Sequence, residues 1–205
     1  MIQVFFSSNR GISTRFHTFC SPYFRENKRT SNTMALNFIE QNVTKYFNIS
    51  NQQYSTITNS NDIKPLKTEN LYLWKLFQAI SSANVKRSDI LWSSKEEEFL
   101  IKQWIEYTNS HILHASVSQV TSHVLNELNQ VFSKQSFLVA DRFTLADVFM
   151  YYSLISVFKE LTLQSKEKHQ HVSRWFSHVQ SLPEVRLGNP VVLFSKTPLY
   201  SGSSH

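Results

Sequence analysis

The chain has 205 residues, of which 41% are hydrophobic, and this is enough to bury the core of one compact domain or of two small lobes. Its single cysteine, Cys20, excludes a disulfide within the chain and a metal site built from cysteines, and it suits a reducing compartment. The longest strongly apolar stretch, 145–158, is shorter than the roughly 20 residues that a membrane span requires. We therefore expect a soluble globular protein with a buried core helix at 145–158.

The formal net charge of +6 is concentrated at the amino terminus. Residues 1–33 carry a net charge of +4, from Arg10, Arg15, Arg25, Lys28 and Arg29 against Glu26, so the remaining residues carry only +2. A basic tract rich in Ser and Thr is typical of a mitochondrial transit peptide, and it also suits a disordered extension upstream of a start at Met34. We favour the extension. A net charge of +2 on the rest of the chain gives no basic face for direct binding of nucleic acid.

Residues 34–90 predict a small mixed lobe. Apolar residues at helical spacing predict a first helix over 35–50, and a similar pattern predicts another over 70–83. Between them, the Thr- and Asn-rich stretch 53–67 alternates in hydropathy and contains Pro65, which favours one or two short strands. With only three glycines in the whole chain, no glycine-rich phosphate loop can form.

Residues 91–205 predict an all-α domain. Ser93 and Ser94 each precede a glutamate by three residues, which is the capping pattern at a helix start. Further helices are expected over 116–134, from Thr144 onward, and over 165–182 before Pro183. The expected fold class is therefore α+β and mainly α.

The helix that begins at Thr144 has a defined start. Thr144 is placed to cap the helix, Asp147 can reach back to the cap amide, and Phe143 occupies the position of a hydrophobic staple with Val148. The pattern L-x-x-x-x-x-T-x-A-D, which begins at Leu138, precedes a buried helix and resembles the hallmark of the glutathione-transferase C-terminal domain. This hallmark implies a fold and carries no implication of activity, so Thr144, Asp147 and Phe143 are expected to be structural residues.

Three motifs give a sharper resemblance: Q-W-I-E-Y at 103–107, T-L-A-D at 144–147 with the tyrosine pair at 151–152, and V-S-R-W-F-S-H-V-Q at 172–180. Together they are similar to a family of glutathione-transferase-like auxiliary subunits of the animal multi-aminoacyl-tRNA synthetase complex. The resemblance implies a reduced thioredoxin-like lobe at 34–90 and a transferase C-terminal-like helical domain at 91–205. It also implies a cytoplasmic scaffold, with a nuclear location and a DNA-damage-response role known for the family.

The resemblance also implies partners. In this family the arginine of the V-S-R-W-F motif contacts the transferase-like domain of glutamyl-prolyl-tRNA synthetase, and a second surface on the small lobe binds methionyl-tRNA synthetase. The matching residue here is Arg174. His171 and His178 share its helix face at i−3 and i+4, so we expect these three residues at a protein interface, although a polar stripe is often merely solvated. His169 and His171 point to different sides, which argues against a metal site.

An active glutathione transferase is the alternative. It would require a hydroxyl or thiol that activates glutathione, and a Glu-Ser or Gln-Ser pair after a cis-proline. No such pair occurs in the stretch 66–74 that directly follows Pro65. Tyr54 or Ser55 could be proposed as the hydroxyl, but both fit a strand edge or loop better. We therefore expect a protein that is not an enzyme, with no catalytic residue, no metal and no cofactor.

Overall fold

The computed structural model describes residues 22–50, 52, 55, 71–82, 88–112 and 118–194. These ranges are mostly helical, and within them the only β pairing is an isolated bridge between Val139 and Arg142. This confirms the mainly α class, whereas the strands predicted over 53–67 lie outside the described residues. The α-helices of the described residues are, in chain order, α1 (Pro22–Tyr46), α2 (Leu71–Ser82), α3 (Lys95–Tyr107), α4 (Ser118–Lys134), α5 (Leu145–Glu160), α6 (Leu163–Lys168), α7 (Gln170–Ser181) and α8 (Pro183–Arg186). A short 3-10 helix, Ser88–Ile90, precedes α3, and a π-helical turn, Thr108–Ile112, follows it.

Helix α1 is longer than the sequence predicted. A helix was expected over 35–50, but α1 begins at Pro22 and ends at Tyr46, so the backbone of 22–33 is helical. Proline suits the first turn of a helix, because its missing N–H would have had no acceptor within the helix. From residue 36 onward the predicted apolar face is buried, and Ile39 and Val43 lie in the core. Residues 1–21, the rest of the expected extension, lie outside the described residues.

Helix α5 is the centre of the described fold. Twelve of its sixteen residues are buried, as expected for a helix that is apolar on nearly every side. It packs against α1 and α3, and the hydroxyl of Tyr152 donates a hydrogen bond to the carbonyl of Val185 in α8 at 2.6 Å. These contacts confirm the predicted core helix. None of the described helices combines the length and the hydropathy needed to cross a membrane.

The sequence predicted one continuous helix over 165–182, and this prediction is wrong. The structure breaks it at His169, whose backbone leaves the helical region with φ −104° and ψ 51°, so that α6 ends at Lys168 and α7 starts at Gln170. The imidazole of His169 is buried at the break, 2.8 Å from the carbonyl oxygen of Ser165 and 3.1 Å from Oδ1 of Asn126. The partner on α4 stabilises the break, and helical periodicity contains no signal for such a tertiary contact.

Candidate protein-interaction site

The start of α5 is built around Asp147. Thr144 is the N-cap, and Oδ2 of the buried Asp147 carboxylate accepts hydrogen bonds from the amide of Thr144 at 3.0 Å and from its hydroxyl at 3.1 Å. Oδ1 accepts from the amide of Leu138 at 3.2 Å. Phe143, just before the cap, packs edge-to-face on Phe137 with the ring centroids 6.2 Å apart. The carboxylate thereby fixes both the helix start and the loop before it.

Asp147 also reaches α7. Its Oδ1 accepts a hydrogen bond from the indole N–H of Trp175 at 3.0 Å, and both side chains are buried. Burial raises the pKa of Asp147 to about 6, although the hydrogen bonds from Thr144, Leu138 and Trp175 all lower the pKa. The sequence motif predicted the cap alone. A buried indole needs an acceptor for its N–H, so the apolar setting of Trp175 was a signal for this contact.

The loop before α5 carries an arginine that sequence reasoning missed. The guanidinium of Arg142 donates to the carbonyl oxygens of Asp89 at 2.6 Å and Leu91 at 2.9 Å. It also forms an ion pair of 2.6 Å with Glu97, whose carboxylate accepts from the amide of Ser93 at 2.7 Å. The hydrogen bond from the Ser93 amide has the largest effect in holding the pKa of Glu97 below its usual value, and the Arg142 guanidinium lowers it further. Arg142 thus joins the loop before α5 to the start of α3.

Helices α4 and α7 cap each other. Oδ1 of Asn129, on α4, accepts from the amides of His171 at 2.9 Å and Val172 at 3.2 Å, which belong to the first turn of α7. In the other direction, the guanidinium of Arg174 donates to the carbonyl oxygen of Phe132, in the last turn of α4, at 3.0 Å. A cation is favourable there because the carboxyl end of a helix carries partial negative charge. Beside this bond the rings of Phe132 and Trp175 stack with their centroids 4.6 Å apart.

The three residues predicted at an interface lie on one side of α7, which we call the α7 face: His171, Arg174 and His178. Arg174 and His178 are exposed, and His171 is half-buried. The ring of His178 lies 5.9 Å from that of Phe137. The α7 face therefore combines an exposed cation with two imidazoles on a helix whose opposite side is in the core.

Chemically, the α7 face can bind an anionic group. The bond to Phe132 holds one guanidinium nitrogen of Arg174, and the group has five N–H donors in a plane that matches a carboxylate. Among the residues that the structure describes, no acidic side chain lies within ion-pair distance of Arg174. In the same part of the chain, no group of three or more His, Cys, Asp or Glu side chains could hold a metal ion.

Comparisons with known proteins identify the family. Residues 97–183 match the family described as nuclear-export cofactor Arc1p. The chain is 37% identical over 117 residues to eukaryotic translation elongation factor 1 epsilon-1 of Cricetulus griseus, and the alignment covers 57% of this chain and 67% of that relative. The chain belongs to the eukaryotic translation elongation factor 1 epsilon-1 family. This confirms the family that the motifs at 103–107, 144–147 and 172–180 indicated.

Two other relatives in the epsilon-1 family align to a similar extent. The Mus musculus protein is 34% identical over 117 residues, and the alignment covers 57% of this chain and 67% of that protein. The Homo sapiens protein is 37% identical over 114 residues, and the alignment covers 56% of this chain and 66% of that protein. Membership in the epsilon-1 family associates the chain with translation and with an adaptor role, and it is consistent with a protein that is not an enzyme.

Proposed function

We propose that this chain is a non-catalytic adaptor subunit of the cytosolic multi-aminoacyl-tRNA synthetase complex. On this proposal, 91–205 is a glutathione-transferase C-terminal-like domain and 34–90 a reduced thioredoxin-like lobe. The partners are the transferase-like domains of glutamyl-prolyl-tRNA synthetase and methionyl-tRNA synthetase. The protein is cytoplasmic and also has a nuclear role in the DNA-damage response. Membership in the epsilon-1 family supports the adaptor role, and the resemblance of the V-S-R-W-F motif supports these partners.

The observation that carries the proposal is that Arg174 is exposed although its guanidinium is already held by a hydrogen bond. An arginine that is free in solvent loses side-chain entropy when a partner fixes it, on the order of 1 kcal/mol. Here the bond to the Phe132 carbonyl already holds the guanidinium at the end of α4, while the side chain stays exposed. The cation is therefore oriented before binding. This suits a contact with a carboxylate of glutamyl-prolyl-tRNA synthetase, flanked by His171 and His178.

The small lobe supplies the second surface of the proposal. In the family that the motifs resemble, this lobe binds methionyl-tRNA synthetase, so that one chain holds two synthetases at separate places. Much of 34–90 lies outside the described residues, and support for this contact comes from the resemblance alone. Separate surfaces predict that a change on the α7 face affects one partner and leaves the other unaffected.

Calorimetric titration of both purified transferase-like domains tests the proposal. The informative variant is Arg174→Gln, because glutamine keeps the first part of the aliphatic stem and a polar end while the charge is lost. Loss of a partly desolvated charged contact costs about 2 to 5 kcal/mol, which is tens to thousands of times in affinity. We expect this loss for glutamyl-prolyl-tRNA synthetase and a change of less than about twofold for methionyl-tRNA synthetase.

The matched control is Lys159→Ala, which removes an exposed positive charge from the last turn of α5, outside both proposed surfaces. It should leave both affinities unchanged, and circular dichroism should show wild-type helicity for both variants. If Arg174→Gln leaves both affinities within twofold of wild type, Arg174 only caps α4, and the assigned role of the α7 face is wrong. If neither synthetase domain binds the wild-type chain, the adaptor proposal itself fails.

A further inference from the structure

The last four described residues form an extended segment against α6 and α7, which we call the strap: Val191, Val192, Leu193 and Phe194. Its side chains alternate in exposure. Val192 is 6% exposed and Phe194 is half-buried, whereas Val191 is 52% and Leu193 61% exposed. Alternation with a period of two is the property of a β-strand that lies with one side on a protein surface.

The strap is held mainly through its backbone. The buried side-chain amide of Gln180, on α7, donates to the carbonyl oxygen of Val192 at 3.0 Å and accepts from its amide at 3.0 Å. A neighbouring β-strand would make the same pair of hydrogen bonds. The ammonium group of Lys166, on α6, donates to the carbonyl oxygen of Leu193 at 3.0 Å. These three bonds do not depend on the side chains of the strap, so many extended peptides could form them.

One side chain adds selectivity. The ring centroid of Phe194 lies 5.6 Å from that of Phe158 and 5.9 Å from that of Phe176, two fully buried rings of α5 and α7. The ammonium nitrogen of Lys166 lies 5.5 Å from the centroid of Phe194, which is a cation–π contact. The subsite is therefore aromatic with a cation at its edge, and it favours an aromatic residue two positions after an apolar one.

We propose that the groove formed by Lys166, Gln180, Phe158 and Phe176 is a peptide-binding site, and that the strap occupies it as an internal competitor. Its partner is an extended segment of another protein, with an apolar residue followed two positions later by Phe, Tyr or Trp. The strap itself shows how such a segment lies. Backbone pairing supplies affinity and one aromatic anchor supplies specificity, which is the usual division in strand-addition recognition.

The strap regulates the site through its short connection to the fold. Only residues 187–190 separate α8 from the strap, and short linkers give effective concentrations of about millimolar. A free peptide at micromolar concentration therefore competes poorly with the intact strap. A partner segment binds when the strap is displaced or weakened, and the groove does not overlap the three residues of the α7 face.

Fluorescence anisotropy with a labelled peptide of sequence 188–194 tests this in the full-length chain. In Val192→Pro the strap loses the N–H that donates to Gln180, so the groove becomes available. We expect this variant to bind the peptide with a Kd on the order of 10 to 100 μM, and wild type to bind at least about tenfold more weakly. A peptide with Phe194→Ala should not bind.

A second variant, Phe194→Ala, weakens the strap without altering its backbone, and it serves as the test if Val192→Pro does not fold. The proposal is overturned if every variant with wild-type circular dichroism fails to bind the peptide. It is also overturned if wild type and variants bind equally, or if the peptide that lacks the aromatic residue binds as well as the parent.

Discussion

The carboxylate of Asp147 lies 3.0 Å from the indole nitrogen of Trp175, 28 residues later in the chain, and the hydrogen bond between them joins the start of α5 to the middle of α7. Trp175 follows Arg174 directly, so the stability of the α5 cap and the position of the α7 face depend on one buried group. A capping motif that is structural in origin therefore also supports the surface proposed to bind a partner.

Replacement of Asp147 with alanine should destabilise the fold by about 2 to 4 kcal/mol, because it leaves the four donors of Thr144, Leu138 and Trp175 without their buried acceptor. Urea denaturation followed by circular dichroism measures the change. Asp141→Ala, at an exposed carboxylate in the same loop, is the control and should change stability much less. A loss below about 0.5 kcal/mol for Asp147→Ala would contradict the central role of this carboxylate.

The stability contribution of Asp147 should depend on pH. Burial raises its pKa in the folded chain to about 6, from 3.8 when unperturbed. Between these two pKa values the folded state holds a proton that the unfolded state has released. The resulting contribution to the free energy of unfolding is complete below about pH 4 and is lost as the pH rises through 6. Relative to Asp147→Asn, wild type should lose on the order of 2 to 3 kcal/mol between pH 4 and pH 7. Denaturation of both proteins at matched pH measures this loss. If the difference in the free energy of unfolding between wild type and Asp147→Asn stayed constant from pH 4 to pH 7, the hydrogen bonds would be keeping the carboxylate charged throughout.

Much of the helical part could be predicted because its helix starts carry local chemistry. Ser94 caps α3 by accepting from the amide of Glu97, and Thr144 caps α5, so both starts are encoded within a few residues. The break at His169 could not be predicted, since Asn126 and Asn129 stabilise it from a different helix. The same reason applies to the Arg142 contacts, which reach residues about fifty positions away.

The turn before α5 offers a stabilising substitution. Ala140 and Asp141 have φ of 56° and 46°, between the bridged residues Val139 and Arg142, and this region disfavours side chains with a Cβ. Ala140→Gly should therefore raise the free energy of unfolding by about 0.5 to 1 kcal/mol, despite the greater flexibility of glycine in the unfolded chain. The matched control, Ala146→Gly within α5, should lower it by about 1 kcal/mol. Thermal denaturation distinguishes the two, and equal destabilisation would contradict the expectation.

We expect no glutathione-transferase turnover with a generic electrophile. No Glu-Ser or Gln-Ser pair occurs in the stretch 66–74 directly after Pro65. The hydroxyl of Ser55, one of the two candidate activating groups, donates a hydrogen bond to the carbonyl of Gln52 at 3.0 Å. A spectrophotometric assay of glutathione conjugation measures the rate. Turnover above the uncatalysed rate that disappears in Tyr54→Phe or Ser55→Ala would show instead that the protein is an active transferase.

The mutual capping of α4 and α7 also sets an order of events during synthesis. Phe132 leaves the ribosome 42 residues before Arg174, a delay of about 2 to 8 s at typical elongation rates of about 5 to 20 residues per second. During this interval the carbonyl of Phe132 lacks the Arg174 guanidinium that donates to it, and the ring of Phe132 has no Trp175 to cover it. The nascent chain therefore presents an unfinished aromatic surface to chaperones until α7 emerges.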